Sequence, residues 1–356
     1  MKSLFVAINV NDLKMFIPLL HEMPDWDNTL AIRAHAYKLW SNPSKLRDLK
    51  DIPNCNIVLI KDHSSLSRML SEKFDASFMN AGQFYKIINW YSLSKQHIKN
   101  MGKKIGISWF LDLFAKSAVG KLELLDHVVV QSKAALSVYK MFPVYKERSK
   151  HVEKCLQNIQ DKLFWSSPYF DFKHYCRSVD QVRNDWGLST DDKVALLVHS
   201  TMRGNNLVAT QKCYIKLSRI WRKLGYKVIV KMKNNTPPVS VKQCDMVIQE
   251  SSVHDLFSFA EACSISDVMV MMRETMSLFE AGMYNIPILL PKEYTKPNMF
   301  KHFWKIIKGY PWSYVESVTP ESLVEMQGVD STSWLNKWVS LDETNAKRLV
   351  REIVNV

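Results

Sequence analysis

The chain has 356 residues, 47% of them hydrophobic and 23% charged, with a formal net charge of +13. That composition is ordinary for a soluble globular protein, the length suits two domains better than one, and no apolar run reaches the roughly 18 residues of a membrane span. The six cysteines (Cys55, Cys155, Cys176, Cys213, Cys244, Cys263) form no Cys-x-x-Cys pair and the ten histidines no metal-binding spacing; this argues against a disulfide framework and structural zinc, and for a reducing, cytoplasmic setting.

The charge is unevenly placed. Between Lys86 and Lys154 thirteen Lys/Arg stand against five Asp/Glu, so this stretch carries +8. Trp90, Tyr91, Trp109, Tyr139, Phe142 and Tyr145 are interleaved with it. Such a region attracts a polyanion, either nucleic acid or an anionic membrane surface. A solvated lysine-rich face is the plainer alternative.

Residues 4–10 read as a strand, the first of a core rather than part of a signal peptide, and residues 13–23 as a short helix. Residues 57–60 and 76–79 are predicted strands, 84–101 a helix, and 105–110 and 127–130 further strands. Ser132 is a good N-cap for a helix reaching Met141. Residues 143–165 look basic and irregular or helical, and Ser166-Ser167-Pro168 breaks the pattern, placing a domain boundary between Pro168 and Asp192. The alternation then restarts. Residues 193–198 form a strand, 199–206 a polar turn, and 208–224 a helix closed by Gly225. Strands follow at 228–232 and 246–248, then a helix at 253–263. Helices at 322–327 and 343–354 close the chain. Strands separated by helices imply parallel sheets covered on both faces.

The most informative stretch is DVMVMMRETMSLFEAGMYNIPILLP, residues 267–291. A strand ends at Met271-Met272, the polar turn Arg273-Glu274-Thr275 follows, a helix opens near Ser277 and carries Glu280, and a second strand spans 286–290. This is a βαβ unit. Its first loop lies at the carboxyl edge of the sheet, where open α/β folds bind ligands. The helix start there suits a phosphate, and a glutamate one turn in suits a ribose diol.

With both halves laid out, the chain resembles the GT-B glycosyltransferases, and within them looks most like the phage DNA β-glucosyltransferases. FDASFMNAG (74–82), KKIGISWFLDLF (103–114), ELLDHVVVQS (123–132) and LLVHSTMRGNN (196–206) carry the likeness, together with the Glu280 segment. It implies two Rossmann-like domains facing across a cleft: an acceptor domain (1–168), a nucleotide-sugar donor domain (169–335), and a last helix (336–356) packing back on the first. The implied activity is transfer of glucose from UDP-glucose to a hydroxymethylated pyrimidine in double-stranded DNA, by a monomer in the cytoplasm (of a host cell, if phage-encoded).

The resemblance gives Asp112 the catalytic role, as the base that takes the acceptor proton; Asp12, Glu22 and Asp62 compete for it. Ser200, Arg203, Lys231, Arg273 and Thr275 are expected at the diphosphate, Ser252, Val253 and Glu280 at the nucleoside. Trp90, Tyr91, Lys103, Lys104, Trp109 and Phe114 are expected at the acceptor. A divalent cation, Mg or Mn, could assist diphosphate release without protein-only ligation. One departure stands out: where the DNA glucosyltransferases have an arginine three residues before the glutamate, this chain has Ser277. Rival readings are a cell-envelope glycosyl- or polyol-phosphate transferase, a non-catalytic DNA-binding protein on the same fold, and a UDP-sugar epimerase.

Overall fold

The computed structural model describes residues 1–33, 49, 51–108, 119–133, 149–198, 207–232, 244–249, 256–271, 277–291, 312–315, 330–339 and 344–354. The chain divides into two compact units: Met1–Tyr175 with Lys337–Val356, and Cys176–Asn336.

The first unit is built on a seven-stranded sheet of β1 (Lys2–Ala7), β2 (Asp27–Arg33), β3 (Cys55–Ile60), β4 (Ala76–Asn80), β5 (Lys103–Ile107), β6 (His127–Val130) and β7 (Leu163–Trp165). The order is β3-β2-β1-β4-β5-β6-β7, with every neighbouring pair parallel. Its helices are α1 (Val10–His21), α2 (His63–Met69), α3 (Phe84–Trp90), α4 (Lys95–Asn100) and α5 (Ser149–Asn158). β1 is buried beyond its first residue, as a central parallel strand covered on both faces must be. On one face Phe5 stacks on Phe78 at 4.4 Å and meets Phe16 of α1 edge-on at 5.5 Å. On the other, Leu4 and Val6 join a core with Phe84, Ile87 and Ile88 of α3. One glycine is sterically required: Gly102 has φ +62° with Phe74 O only 2.3 Å from where its Cβ would be.

The structure adds strands β2 and β7 to the sequence expectation and divides the expected helix at 84–101. Ser92 takes φ 48°, and Ser94 opens α4 with its own capping box, closed by His97. The expected helix after Ser132 lies largely outside the described residues.

The second unit is a six-stranded parallel sheet of β8 (Lys193–Val198), β9 (Tyr226–Met232), β10 (Met246–Gln249), β11 (Val268–Met271), β12 (Ile288–Pro291) and β13 (Trp312–Val315). Its order is β10-β9-β8-β11-β12-β13. The helices are α6 (Val179–Asp185), α7 (Leu207–Lys223), α8 (Ser258–Ser264), α9 (Ser277–Gly282) and α10 (Ser331–Leu335). Gly225, at φ +83°, closes α7 as expected. Counted from its own first strand, the sheet runs 3-2-1-4-5-6, the doubly wound order; the first unit repeats it and adds β7. Arg177 locks the start of the unit. Its guanidinium pairs with both carboxylate oxygens of the fully buried Glu261 on α8 (3.0 and 2.6 Å) and also with Asp185.

Both sheets tie their amino ends with one device. An aspartate immediately before a strand accepts a hydrogen bond from a backbone N–H at or near the start of its neighbour. Asp75 serves Lys2 (2.7 Å), Asp126 serves Lys104 (2.7 Å), Asp245 serves Val228 (2.8 Å) and Asp267 serves Val194 (2.7 Å).

The C-terminal residues return to the first unit through α11 (Asn345–Leu349). Thr344 gives this helix no side-chain cap. The buried carboxylate of Asp171 takes over, accepting from Ala346 N (2.6 Å) and Asn345 Nδ2 (2.9 Å). Asn345 in turn accepts from Ser166 Oγ and Ser167 N, both at 3.0 Å, and Lys103 Nζ donates to Ile353 O at 2.9 Å.

Candidate active site at the carboxyl ends of the strands

In a doubly wound sheet the ligand crevice opens at the carboxyl ends of the strands, where the order reverses. That point lies between β1 and β4 in the first unit and between β8 and β11 in the second.

In the second unit, α9 is the next described element after β11. Leu278, Phe279 and Ala281 are buried, with Phe279 packed on Trp334 of α10 at 5.2 Å. The same short helix holds Glu280 at 5% exposure, an unusual place for a carboxylate unless it has a polar role. Its negative charge contributes to holding the Tyr284 hydroxyl above its ordinary range; burial is the largest cause and Cys176, 3.7 Å from that hydroxyl, the next. Lys231 is the penultimate residue of β9, level with Val198 at the end of β8. Its ammonium lies 5.4 Å from the Phe259 ring centroid, a cation–π distance. The buried Tyr214 of α7 donates its hydroxyl to Val198 O at 2.8 Å, fixing the point where the chain leaves β8. Ser200, Arg203, Ser252, Val253, Arg273 and Thr275 lie outside the described residues.

In the first unit the carboxyl ends carry a row of buried polar side chains. Asp12, in the first turn of α1, accepts from Ile8 N (2.8 Å), Asn9 N (3.0 Å) and Asn80 Nδ2 at the end of β4 (3.0 Å). Beyond β5, the backbone oxygen of Ser108 accepts from Gln131 Nε2 at 2.6 Å, and Ser167, beyond β7, donates to Gln131 O at 3.2 Å. Asp112, Trp109 and Phe114 fall outside the described residues.

The remaining acceptor expectations are placed as follows. Lys103 and Lys104 open β5, at the amino edge of the sheet. There Lys103 is engaged by Ile353 O and Lys104 by Asp126 at 2.7 Å. The expectation that they meet an acceptor is corrected: they stand at the opposite edge from the ligand crevice and serve internal contacts. Tyr91 is buried in the core, which corrects its assignment as a stacking surface. Trp90 stays partly exposed, with Arg33 4.2 Å and Lys86 5.5 Å from its ring centroid. Among the rival bases, Asp62 is the N-cap of α2, accepting from Ser65 N at 2.8 Å. Hydrogen bonds from the Ser65 and Ser64 side chains hold its carboxyl below the ordinary range. Glu22 is the C-cap of α1.

Among the described residues no group of three His, Cys, Asp or Glu side chains comes together to hold a metal. The sequence holds an Asp-x-Asp triplet, Asp25-Trp26-Asp27. It lines a depression of about 460 Å³ with Asn54, Cys55 and Asn56, at the amino ends of β2 and β3 and thus at the wrong edge for a donor-bound cation. Burial pushes the Cys55 and Cys155 thiols up to about 11, which makes them poor nucleophiles.

No protein-family model matches the chain, and no curated protein matches it in sequence. Solved structures do, along the whole chain. The wall teichoic acid polymerase TagF is 12% identical with a TM-score of 0.60, covering 99% of this chain and 88% of that one. Arabidopsis thaliana UGT89C1 complexed with UDP is 12% identical, TM-score 0.54, covering 99% and 98%. The UDP-GlcNAc 2-epimerase of Methanocaldococcus jannaschii is 10% identical, TM-score 0.57, covering 100% of both. The fold is GT-B. At these identities the likeness establishes the architecture, as expected from the sequence, and leaves the reaction to be argued from the residues. Among the described residues no helix is long and apolar enough to cross a membrane.

Proposed function

We propose that this protein is an enzyme, a glycosyltransferase that uses a nucleotide-sugar donor. The observation that carries this reading is Glu280, a nearly buried carboxylate on the helix that follows β11, beside the reversal point of a 3-2-1-4-5-6 sheet. A carboxylate there accepts two hydrogen bonds from a ribose diol, a charge-assisted and geometrically selective contact. Arg203, Arg273 and Lys231, with Ser200 and Thr275, neutralise the diphosphate as it departs, and Ser252 and Val253 read the base through their backbone. An acceptor hydroxyl oxygen bonds to the anomeric carbon, the bond from that carbon to the diphosphate oxygen breaks, and Asp112 takes the hydroxyl proton. A divalent cation would add charge at the leaving diphosphate; no protein ligand is assigned to it.

For the finer chemistry we propose UDP-glucose as donor and a hydroxymethylated pyrimidine in DNA as acceptor, in the cytoplasm. The excess of +8 between Lys86 and Lys154 supports a polyanionic acceptor and predicts binding that weakens steeply with salt. The target base would leave the stack to meet the sugar, with Trp90, Trp109 or Phe114 available for stacking. Likeness in fold to a wall teichoic acid polymerase supports a second reading, transfer to a cell-envelope polymer.

The test incubates the protein with radiolabelled UDP-glucose and DNA containing hydroxymethylcytosine, hydroxymethyluracil or neither. Label entering only hydroxymethylated DNA is expected. Hydrolysis of UDP-glucose without transfer to any DNA would move the reading to the envelope polymer, and absence of UDP binding would end both.

A further inference from the structure

The reversal point of the first unit holds one polar atom that the fold leaves unserved. Asn80 ends β4 and is fully buried, level with Ile107 of β5 and one residue beyond the Val6–Met79 pair with β1. Its amide nitrogen is committed to Asp12 Oδ1 at 3.0 Å. Because that partner is a carboxylate, the orientation of the amide is set: nitrogen toward Asp12, oxygen away. Asn80 Oδ1 is then buried with no hydrogen-bond partner, and buried amide oxygens are rarely left so.

What completes this oxygen is constrained by its surroundings. The start of the twelve-residue α1 is already closed. Asn9 Oδ1 serves Asn11 N at 2.9 Å and Asp12 N at 3.2 Å, and Asp12 Oδ2 serves Ile8 N and Asn9 N. With Asn11 N and Asp12 N occupied and a carboxylate in the middle, the helix start disfavours a phosphate. It suits a neutral hydrogen-bond donor, and a small one.

We infer that the Asp12–Asn80 pair forms a subsite for the acceptor, in which Asn80 Oδ1 accepts a hydrogen bond from a hydroxyl of the molecule to be glycosylated. Asp12 is the positioning residue: it holds the amide by its nitrogen so that the oxygen faces the incoming hydroxyl. The inference rests on the glycosyltransferase reading, and it makes Asn80 a determinant of which acceptors are taken.

The probe is 5-hydroxymethyl-2′-deoxycytidine, with 2′-deoxycytidine as control, titrated into uniformly ¹⁵N-labelled full chain in the presence of UDP. The Asn80 side-chain amide resonance, assigned by its loss in Asn80→Ser, is expected to shift with the hydroxymethyl nucleoside and to stay in place with the control. In the transfer assay Asn80→Ser is expected to raise the acceptor KM about tenfold, the loss of one hydrogen bond, while UDP affinity stays within twofold. No resonance shift, or an equal shift with both nucleosides, would overturn the inference, because the oxygen is then served by an ordered water alone. An acceptor KM unchanged in Asn80→Ser would do the same. Failure of the unaltered protein to bind UDP is a separate result, which removes the glycosyltransferase reading itself.

Discussion

The two sheets are alike at the amino edge, and at the carboxyl edge their described residues offer different side chains. At the amino ends of their strands each uses a pair of aspartates, Asp75 and Asp126 in one and Asp245 and Asp267 in the other, to hold neighbouring strands in register. At the carboxyl ends the first unit buries a chain of polar side chains, Asp12, Asn80, Ser108, Gln131, Ser166 and Ser167. In the second, the described residues near that edge include the nearly buried Glu280 of α9, Lys231 of β9 against the Phe259 ring, and the Tyr214 hydroxyl on Val198 O. The amino edge is generic scaffolding, the same solution applied twice.

The largest effect that would sharpen this contrast lies in the second unit. Arg177→Ala removes the guanidinium that pairs with the buried Glu261 and is expected to destabilise by about 3–5 kcal/mol. Hydrogen exchange should show Cys176–Asn336 loosening first; uniform loosening would mean the units do not unfold separately. In the first unit, Gly102→Ala forces a side chain into a left-handed conformation against the backbone of Phe74, costing at least about 2 kcal/mol in chemical denaturation. Glu280→Gln probes what sets the second unit apart. UDP affinity, read by calorimetry, should fall about tenfold or more. An unchanged affinity would reduce Glu280 to a structural group.

Smaller effects separate the two kinds of carboxylate. Burial raises the Asp171 carboxyl above its unfolded value of 3.8 against the hydrogen bonds from Ala346 and Asn345. The folded form therefore binds the proton more tightly. The stability from this site is complete below pH 3.8 and is lost as pH rises through the folded value, with a slope of no more than about 1.4 kcal/mol per pH unit. Asp171→Asn should flatten that part of the pH–stability curve. Asp126 runs the other way. Burial pushes its carboxyl up, but hydrogen bonds from Lys104 and the charges of Lys104 and Lys162 outweigh this and lower it. Its stability is present above pH 3.8 and lost as pH falls through the folded value. Last, Asp75→Ala and Asp267→Ala should each cost about 0.5–1.5 kcal/mol, and nearly the same amount, since the device is common to both sheets.

Much of this architecture is legible in the residues because buried parallel strands are unbroken apolar runs. VALLV before a polar turn and VMVM before another announce β8 and β11. β2 is hidden because it begins Asp-Asn-Thr and ends in Arg33, so its apolar centre is only three residues long. β7 and β13, at three and four residues, are too short to carry a period. The run from Phe84 to Met101 looks like one helix because its apolar spacing carries on through a break that only Ser92's backbone reveals. Glu280 stands out in the sequence as a candidate because a carboxylate sits among apolar neighbours, and the structure buries it. Asn80 belongs to a visible turn but does not single itself out, since a missing hydrogen bond is a property of three-dimensional neighbours. Lys103 and Lys104 mislead because net charge does not say which end of a strand it occupies.

The bond from Asp171 to Ala346 has a consequence for how the molecule is made. The first unit is interrupted in the chain by the whole of Cys176–Asn336, and the helix that covers its buried carboxylate leaves the ribosome only after that insert. During synthesis the later half can settle while the earlier half still waits for its seal. A nascent chain stalled before Asn345 should hold a protease-resistant second half beside a first half that proteases still cut.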